Sequence, residues 1–106
     1  MDNSVITQKA LDLGHIIVET CMSSIDVDQM DTYIRGLVSV YKDNVDMNNK
    51  DDRRKLHFLL SHTSTLFLNM AINGNMYFYG KKEEEKGYKG REIIGSIIQE
   101  IRENKL

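Results

Sequence analysis

Apolar residues recur every three or four positions along most of this chain, the pattern of helices with one buried face. The pattern covers residues 4–23, 28–44, 51–73 and 91–104. The third segment becomes apolar on nearly all sides in its second half, which is typical of a helix at the centre of a domain or under a partner. Proline, the strongest helix breaker, is absent. We therefore predict a mainly α protein, an antiparallel bundle of about four helices.

Two stretches interrupt this pattern. Residues 43–52 are rich in Asn and Asp, which favour loops and caps, so we place the main interhelical loop there. The second stretch spans residues 74–90. Its aromatic run at residues 76–79 favours a strand, which would pair with residues 87–90 as a short β-hairpin. The alternative is that the third helix continues through Gly74 with a kink.

Length and composition indicate one ordinary domain, residues 1–106. The apolar fraction of 41% and the charged fraction of 28% are typical of soluble globular proteins. A net charge of −2 provides no global field for nucleic acid, so such binding would need a local basic patch. The single cysteine, Cys21, the acid near the start of the chain and the lack of a long apolar run suggest a cytoplasmic protein without a membrane span.

Asp12, His15 and Glu19 are the first candidate for chemistry, because spacings of three and four place them on one helical stripe. A histidine between carboxylates can hold a proton or share a metal ion. The more ordinary explanation is a solvated polar face, because metal sites usually draw ligands from further elements. His57 and His62 would supply them only if the fold brought them close.

A polar island, Ser61 to Thr65, interrupts the apolar third segment. His57 and Ser61 are four residues apart and within hydrogen-bonding reach on a helix. Nucleophilic catalysis also needs a group that orients the histidine and donors for an oxyanion, and the sequence shows neither. The simpler explanation is that Ser and Thr bond back to helix carbonyls. We predict no catalytic residue, no metal site and no cofactor.

An anion site is predicted where a glycine-rich stretch meets the last helix, at Gly87, Lys89, Gly90 and Arg91. Glycines let the backbone approach an anion, and the start of a helix offers free N–H groups and the positive end of its dipole. The stretch lacks the Lys-Ser/Thr ending of a P-loop. The alternative is a flexible connector whose glycines only permit a turn.

A second basic segment, Arg53-Arg54-Lys55, opens the third helix. Because Asp51 and Asp52 precede it and offset much of its charge, a solvated face is the expectation there.

Aromatic side chains cluster near the last helix. We predict a partner-binding surface there, because aromatic residues are enriched at interfaces; capping of the core is the alternative. The residues are Tyr77, Phe78, Tyr79 and Tyr88.

The missing catalytic parts, the apolar third helix and the aromatics favour a small non-enzymatic protein-interaction module. It would be a regulator or inhibitor of bacterial or phage origin that binds a protein partner or self-associates as a homo-oligomer. The alternative function is binding of nucleic acid or a nucleotide through Arg53, Arg54, Lys89 and Arg91. An enzyme built on the histidines ranks third.

Overall fold

The structure is a computed structural model that describes residues 3–73 and 81–103. Within these residues the chain forms four α-helices and one short 3-10 helix. Their bounds are α1 Asn3–Ser24, the 3-10 helix Val27–Gln29, α2 Met30–Asp43, α3 Lys50–Asn73 and α4 Lys81–Arg102. The mainly helical prediction is confirmed, and α1, α2 and α3 lie close to the predicted segments.

The loop between α2 and α3 is held by its own polar side chains, as the Asn and Asp content predicted. Asn49 Oδ1 accepts hydrogen bonds from the backbone N–H groups of Asp51, at 2.9 Å, and Asp52, at 3.1 Å, and so caps α3. Asp52 Oδ2 in turn accepts the N–H of Asp46 at 2.7 Å. Asn44 ends α2 by donating its amide to the carbonyl of Val40 at 2.8 Å.

The predicted start of the last helix at residue 91 is wrong. α4 begins at Lys81, so the glycine-rich stretch is helical. The described residues contain no strand, and the β-hairpin predicted with residues 87–90 as one arm does not form. The other arm, residues 76–79, and the alternative kinked extension through Gly74 lie outside the described residues.

The glycine-rich stretch is helical because Gly87 and Gly90 lie where α4 crosses α3. A Cβ on Gly87 would lie 2.7 Å from both the Cβ of Ala71 and the carbonyl oxygen of Phe67. A Cβ on Gly90 would overlap the ring of Phe67, which is fully buried. Because Gly87 meets Ala71 while Gly90 meets Phe67, α3 and α4 run antiparallel, and only glycine permits so close an approach.

The core is one cluster to which all four helices contribute. α3 packs between α1 and α4, which agrees with its prediction as the central helix. α2 is tied to α4 by Arg35, whose Nη1 donates to Glu100 Oε2 at 2.6 Å and whose Nε donates to Asp31 Oδ1 at 3.0 Å. The fully buried core side chains include Ile17, Cys21, Met30, Ile34, Leu56, Leu60, Phe67, Ile94 and Ile97.

Lys86 is a buried cation that fastens α4 to the end of α1. It is 4% exposed, and its Nζ donates to the carbonyl oxygens of Cys21 at 2.7 Å and Met22 at 3.4 Å. These carbonyls belong to the last turn of α1, which lacks partners within the helix. A cation also suits the negative end of the helix dipole.

Among the described residues, the α3–α4 pair has one side that α1 and α2 cover and an opposite side that no other helix covers. Successive residues are rotated by about 100° around a helix axis. In an antiparallel pair, the residues that directly precede those in the helix–helix contact therefore lie on one side of the pair, for both helices. The residues that directly follow them lie on the other side. Lys86 and Leu66 precede contact residues, and both face α1: Lys86 bonds to Cys21, and Leu66 lies 3.8 Å from a Cβ on Gly14. We call the opposite side the outer face. Its residues include Leu68 and Ile72 on α3 and Tyr88 and Arg91 on α4.

None of the helices in the described part of the chain offers a stretch apolar enough, at sufficient length, to cross a membrane.

Candidate functional site

Two of the three histidines meet between α1 and α3. The rings of His15 and His62 contact edge to face, with centroids 5.6 Å apart, and Phe58 stacks on His62 at 5.9 Å. His62 Nε2 is buried without a hydrogen-bond partner. Burial, and secondarily the nearby His15, lower the pKa of His62 below its usual value. The cluster is therefore an apolar contact that favours neutral His62.

The predicted stripe of Asp12, His15 and Glu19 does not gather a set of metal ligands. Asp12 accepts a hydrogen bond from Gln8 at 3.0 Å, while His15 and Glu19 line a groove of about 670 Å³ between α1 and α3. No group of three or more metal-ligating side chains comes together in residues 3–73 and 81–103.

The polar island on α3 is largely satisfied by its own helix. Thr63 Oγ1 donates to the carbonyl of Leu59 at 2.7 Å, and Thr65 Oγ1 donates to that of Ser61 at 3.1 Å. The predicted contact between His57 Nε2 and Ser61 Oγ is present at 3.3 Å. It lies in an open groove whose described lining includes no carboxylate to orient His57. The arrangement is that of a surface hydrogen bond.

The predicted anion site does not assemble as expected. Gly87 and Gly90 are packed against α3 inside α4, so their N–H groups belong to the helix and offer no free donors. Lys89 directly precedes Gly90, and Arg91 directly follows it. The two side chains therefore diverge to opposite sides of the α3–α4 pair, Lys89 toward α1 and α2 and Arg91 onto the outer face. Anion binding by these four residues stays a prediction, but the free helix-start N–H groups on which it was based are not present at Gly87 and Gly90.

Of the aromatic residues predicted to bind a partner, Tyr88 lies on the outer face and is 51% exposed. Ile72, the residue after Ala71, is 58% exposed on the same face. Tyr77, Phe78 and Tyr79 lie outside the described residues. The outer face therefore presents apolar surface next to the α3–α4 crossing.

The basic segment on α3 separates into two directions. Lys55 turns inward and pairs with Asp52 Oδ1 at 3.3 Å, with only 18% of its side chain exposed. Arg53 and Arg54 point outward. Arg53 Nη1 donates to the carbonyl of Met47 at 2.8 Å, and 69% of the Arg54 side chain is exposed.

Two adjoining grooves gather further cations around these arginines. One groove of about 550 Å³ runs along the first turns of α3, and a smaller one of about 70 Å³ lies between α3 and α4. They share Arg53 and His57, and no carboxylate is among their described lining residues. We call this region the basic groove. It is formed by Lys50, Arg53, Arg54, His57, Phe58 and Arg102.

The two acidic residues beside the basic groove offset little of its charge. Asp52 is occupied by Asp46 and Lys55, and the N–H of Asp46 is the main cause that lowers its pKa. Asp51 lies 3.9 Å from Arg54, and both side chains are 69% exposed. An ion pair of this length in water contributes little, so the arginine stays available to other anions.

The sequence signal for this site is the uneven distribution of charge along the chain. Residues 1–49 contain eight acidic and three basic residues, whereas residues 50–106 contain eight acidic and eleven basic residues, giving formal charges of −5 and +3. The small net charge conceals this division. Because α3 and α4 come from the basic part, and α1 and α2 cover only one side of them, the excess positive charge belongs to the half that carries the outer face.

Comparison of the chain with protein-family models, with curated proteins and with solved structures finds no match.

Proposed function

We propose that this protein is a small, non-enzymatic interaction module that binds an anionic macromolecular partner through the outer face of α3 and α4. The observation that carries the proposal is the basic groove, where three arginines and a lysine line adjoining surfaces free of described carboxylates. Clustered cations raise the local concentration of an anionic partner and steer its approach.

Exposed apolar side chains extend the same face. Ile72 and Tyr88 lie next to the α3–α4 crossing, away from the basic groove, so a partner would meet apolar surface as well as charge. Aromatic and arginine side chains together are characteristic of binding surfaces. A regulator or inhibitor acts through a surface of this kind without any catalytic group.

Self-association is part of the proposal as a charge-driven contact. A two-fold dimer centred on the basic groove would bring Arg54 and Arg102 of one copy toward the same cations of the other, and like charges across an interface oppose binding. Copies would instead associate with the basic face of one against the acidic α1–α2 side of the next. Such a contact weakens with salt.

The test is retention on immobilised heparin, a polyanion, at neutral pH and low salt. Although the chain has a net charge of −2, we expect it to be retained, and we expect R54Q/R102Q to elute at clearly lower salt. K9Q/K42Q is the matched control, because it removes the same charge from α1 and α2 and should elute like the natural protein. Flow-through of the natural protein, or equal shifts for both double variants, would rule the proposal out.

A further inference from the structure

We infer that the basic groove binds single-stranded nucleic acid, with the cations on the phosphates and the Phe58 ring against a base. This inference rests on the proposed function, because it names the class of anion that the outer face takes. It differs from binding at Lys89 and Arg91, which diverge around α4 and do not form one site.

The cations of the groove form a line. Lys50 and the pair Arg53 and Arg54 lie about one helical turn apart along α3, a rise of about 5.4 Å. Arg102 stands across the smaller groove on α4. A single phosphate would engage one or two of these side chains, whereas a chain of phosphates can engage all of them. The geometry therefore fits a polyanion with regularly spaced charges.

An aromatic ring lies among these cations. Phe58 lines the larger groove beside Arg54 and His57 and is 38% exposed. Its stacking on His62 fixes the orientation of the ring, with planes only 5° apart. A preoriented ring next to cations is the arrangement by which proteins hold unpaired bases, because every base has a face that stacks on an aromatic ring.

The same ring argues against duplex DNA as the ligand. Bases in a duplex are stacked on one another, so a side chain on an open helical surface has no base face to contact. The larger part of the basic groove is an open strip along the first turns of α3, so an unpaired base can reach the Phe58 ring from solvent. The amides at the start of α3 add nothing, because Asn49 already caps those of Asp51 and Asp52.

Fluorescence anisotropy with a labelled thymidine 20-mer tests the inference across a salt series. Four cations on four phosphates predict a slope of log K against log salt of about −3 for a single strand. K50Q and R54Q should each reduce the slope by about 0.7, since each removes one phosphate contact. K9Q, an equal change of charge on α1, should leave slope and affinity unchanged.

Variants of Phe58 test the stacking contribution separately from the contribution of charge. F58L should weaken binding about tenfold with the salt slope preserved, because it removes stacking and no phosphate contact. F58Y retains the ring and should bind like the natural protein, which separates stacking from any disturbance of folding. Circular dichroism confirms that each variant is folded.

The possible results separate this inference from the proposed function. If the protein is retained on heparin but does not bind the 20-mer, the inference is overturned and the proposed function stands, with an acidic protein as the partner. If it binds neither, both fail. Equal affinity for a duplex 20-mer, together with no effect of F58L, also overturns the inference. Preferential binding of the single strand, lost in F58L and kept in F58Y, supports it.

Discussion

Alanine in place of Gly87 tests the central packing contact of the fold. The added methyl group would lie 2.7 Å from three atoms of α3: the Cβ and backbone nitrogen of Ala71 and the carbonyl oxygen of Phe67. Two of these are backbone atoms of a helix, which no rotamer change can move. α3 and α4 must therefore separate, and the core between them must loosen.

The magnitude follows from two opposing effects. Alanine within a helix is about 1 kcal/mol more favourable than glycine, while overpacking a tight contact costs about 1–3 kcal/mol and sometimes more. Because the obstruction here is backbone, we expect a net loss of about 2 kcal/mol for G87A. Gly95 provides the matched control on the same helix: nothing lies within 4 Å of its Cβ position, so G95A should gain about 1 kcal/mol.

Thermal unfolding followed by far-UV circular dichroism measures both effects. For a domain of this size, each kcal/mol corresponds to roughly 4–8 °C in Tm. We therefore expect Tm to fall by about 8–16 °C in G87A and to rise by about 4–8 °C in G95A. If G87A became as stable as G95A, α3 and α4 would not approach each other as described, and the outer face defined by that crossing would lose its basis.

Three further perturbations probe the buried polar groups. K86M should lower the free energy of unfolding by about 1–3 kcal/mol, because it leaves the α1 carbonyls unpaired; K89M on the same helix is the control, and equal losses in urea unfolding would contradict the role of Lys86. Burial raises the pKa of the Cys21 thiol to about 11, despite the opposing charge of Lys86. Folded protein at pH 8 should therefore resist thiol labelling until it unfolds, and rapid labelling would refute this. Because the pKa of His62 is lowered in the folded state, its contribution to stability is complete above about pH 6.5 and is lost as the pH falls below that value; H62Q should lose this dependence, and an unchanged profile would exclude His62 as its source.

The helices that could be predicted from sequence are those whose buried faces consist of large apolar side chains. α1 and α3 were placed within a few residues because their spacing of three and four is carried by large side chains. α4 was missed over its first ten residues, where Gly87 and Gly90 hold the positions of that same spacing, followed by Ile94, Ile97 and Ile101. From its sequence neighbours alone, a glycine predicts a turn. Here the glycines are required by contact with Phe67 and Ala71, which are distant in sequence and close only in the fold.

The basic groove was also not predicted, because acidic residues next to the arginines in sequence were expected to offset their charge. Asp51 and Asp52 directly precede Arg53 and Arg54, and the four charges cancel when they are counted along the chain. In space, Asp52 turns toward Asp46 and Lys55, while Arg53 lines a groove with Arg102 and Arg54 extends into solvent. A helix separates adjacent residues by about 100°, so opposite charges next to each other in sequence need not offset each other at a surface. The charge that a partner meets is therefore set by helix phase, and a chain with net negative charge can still present a cationic groove.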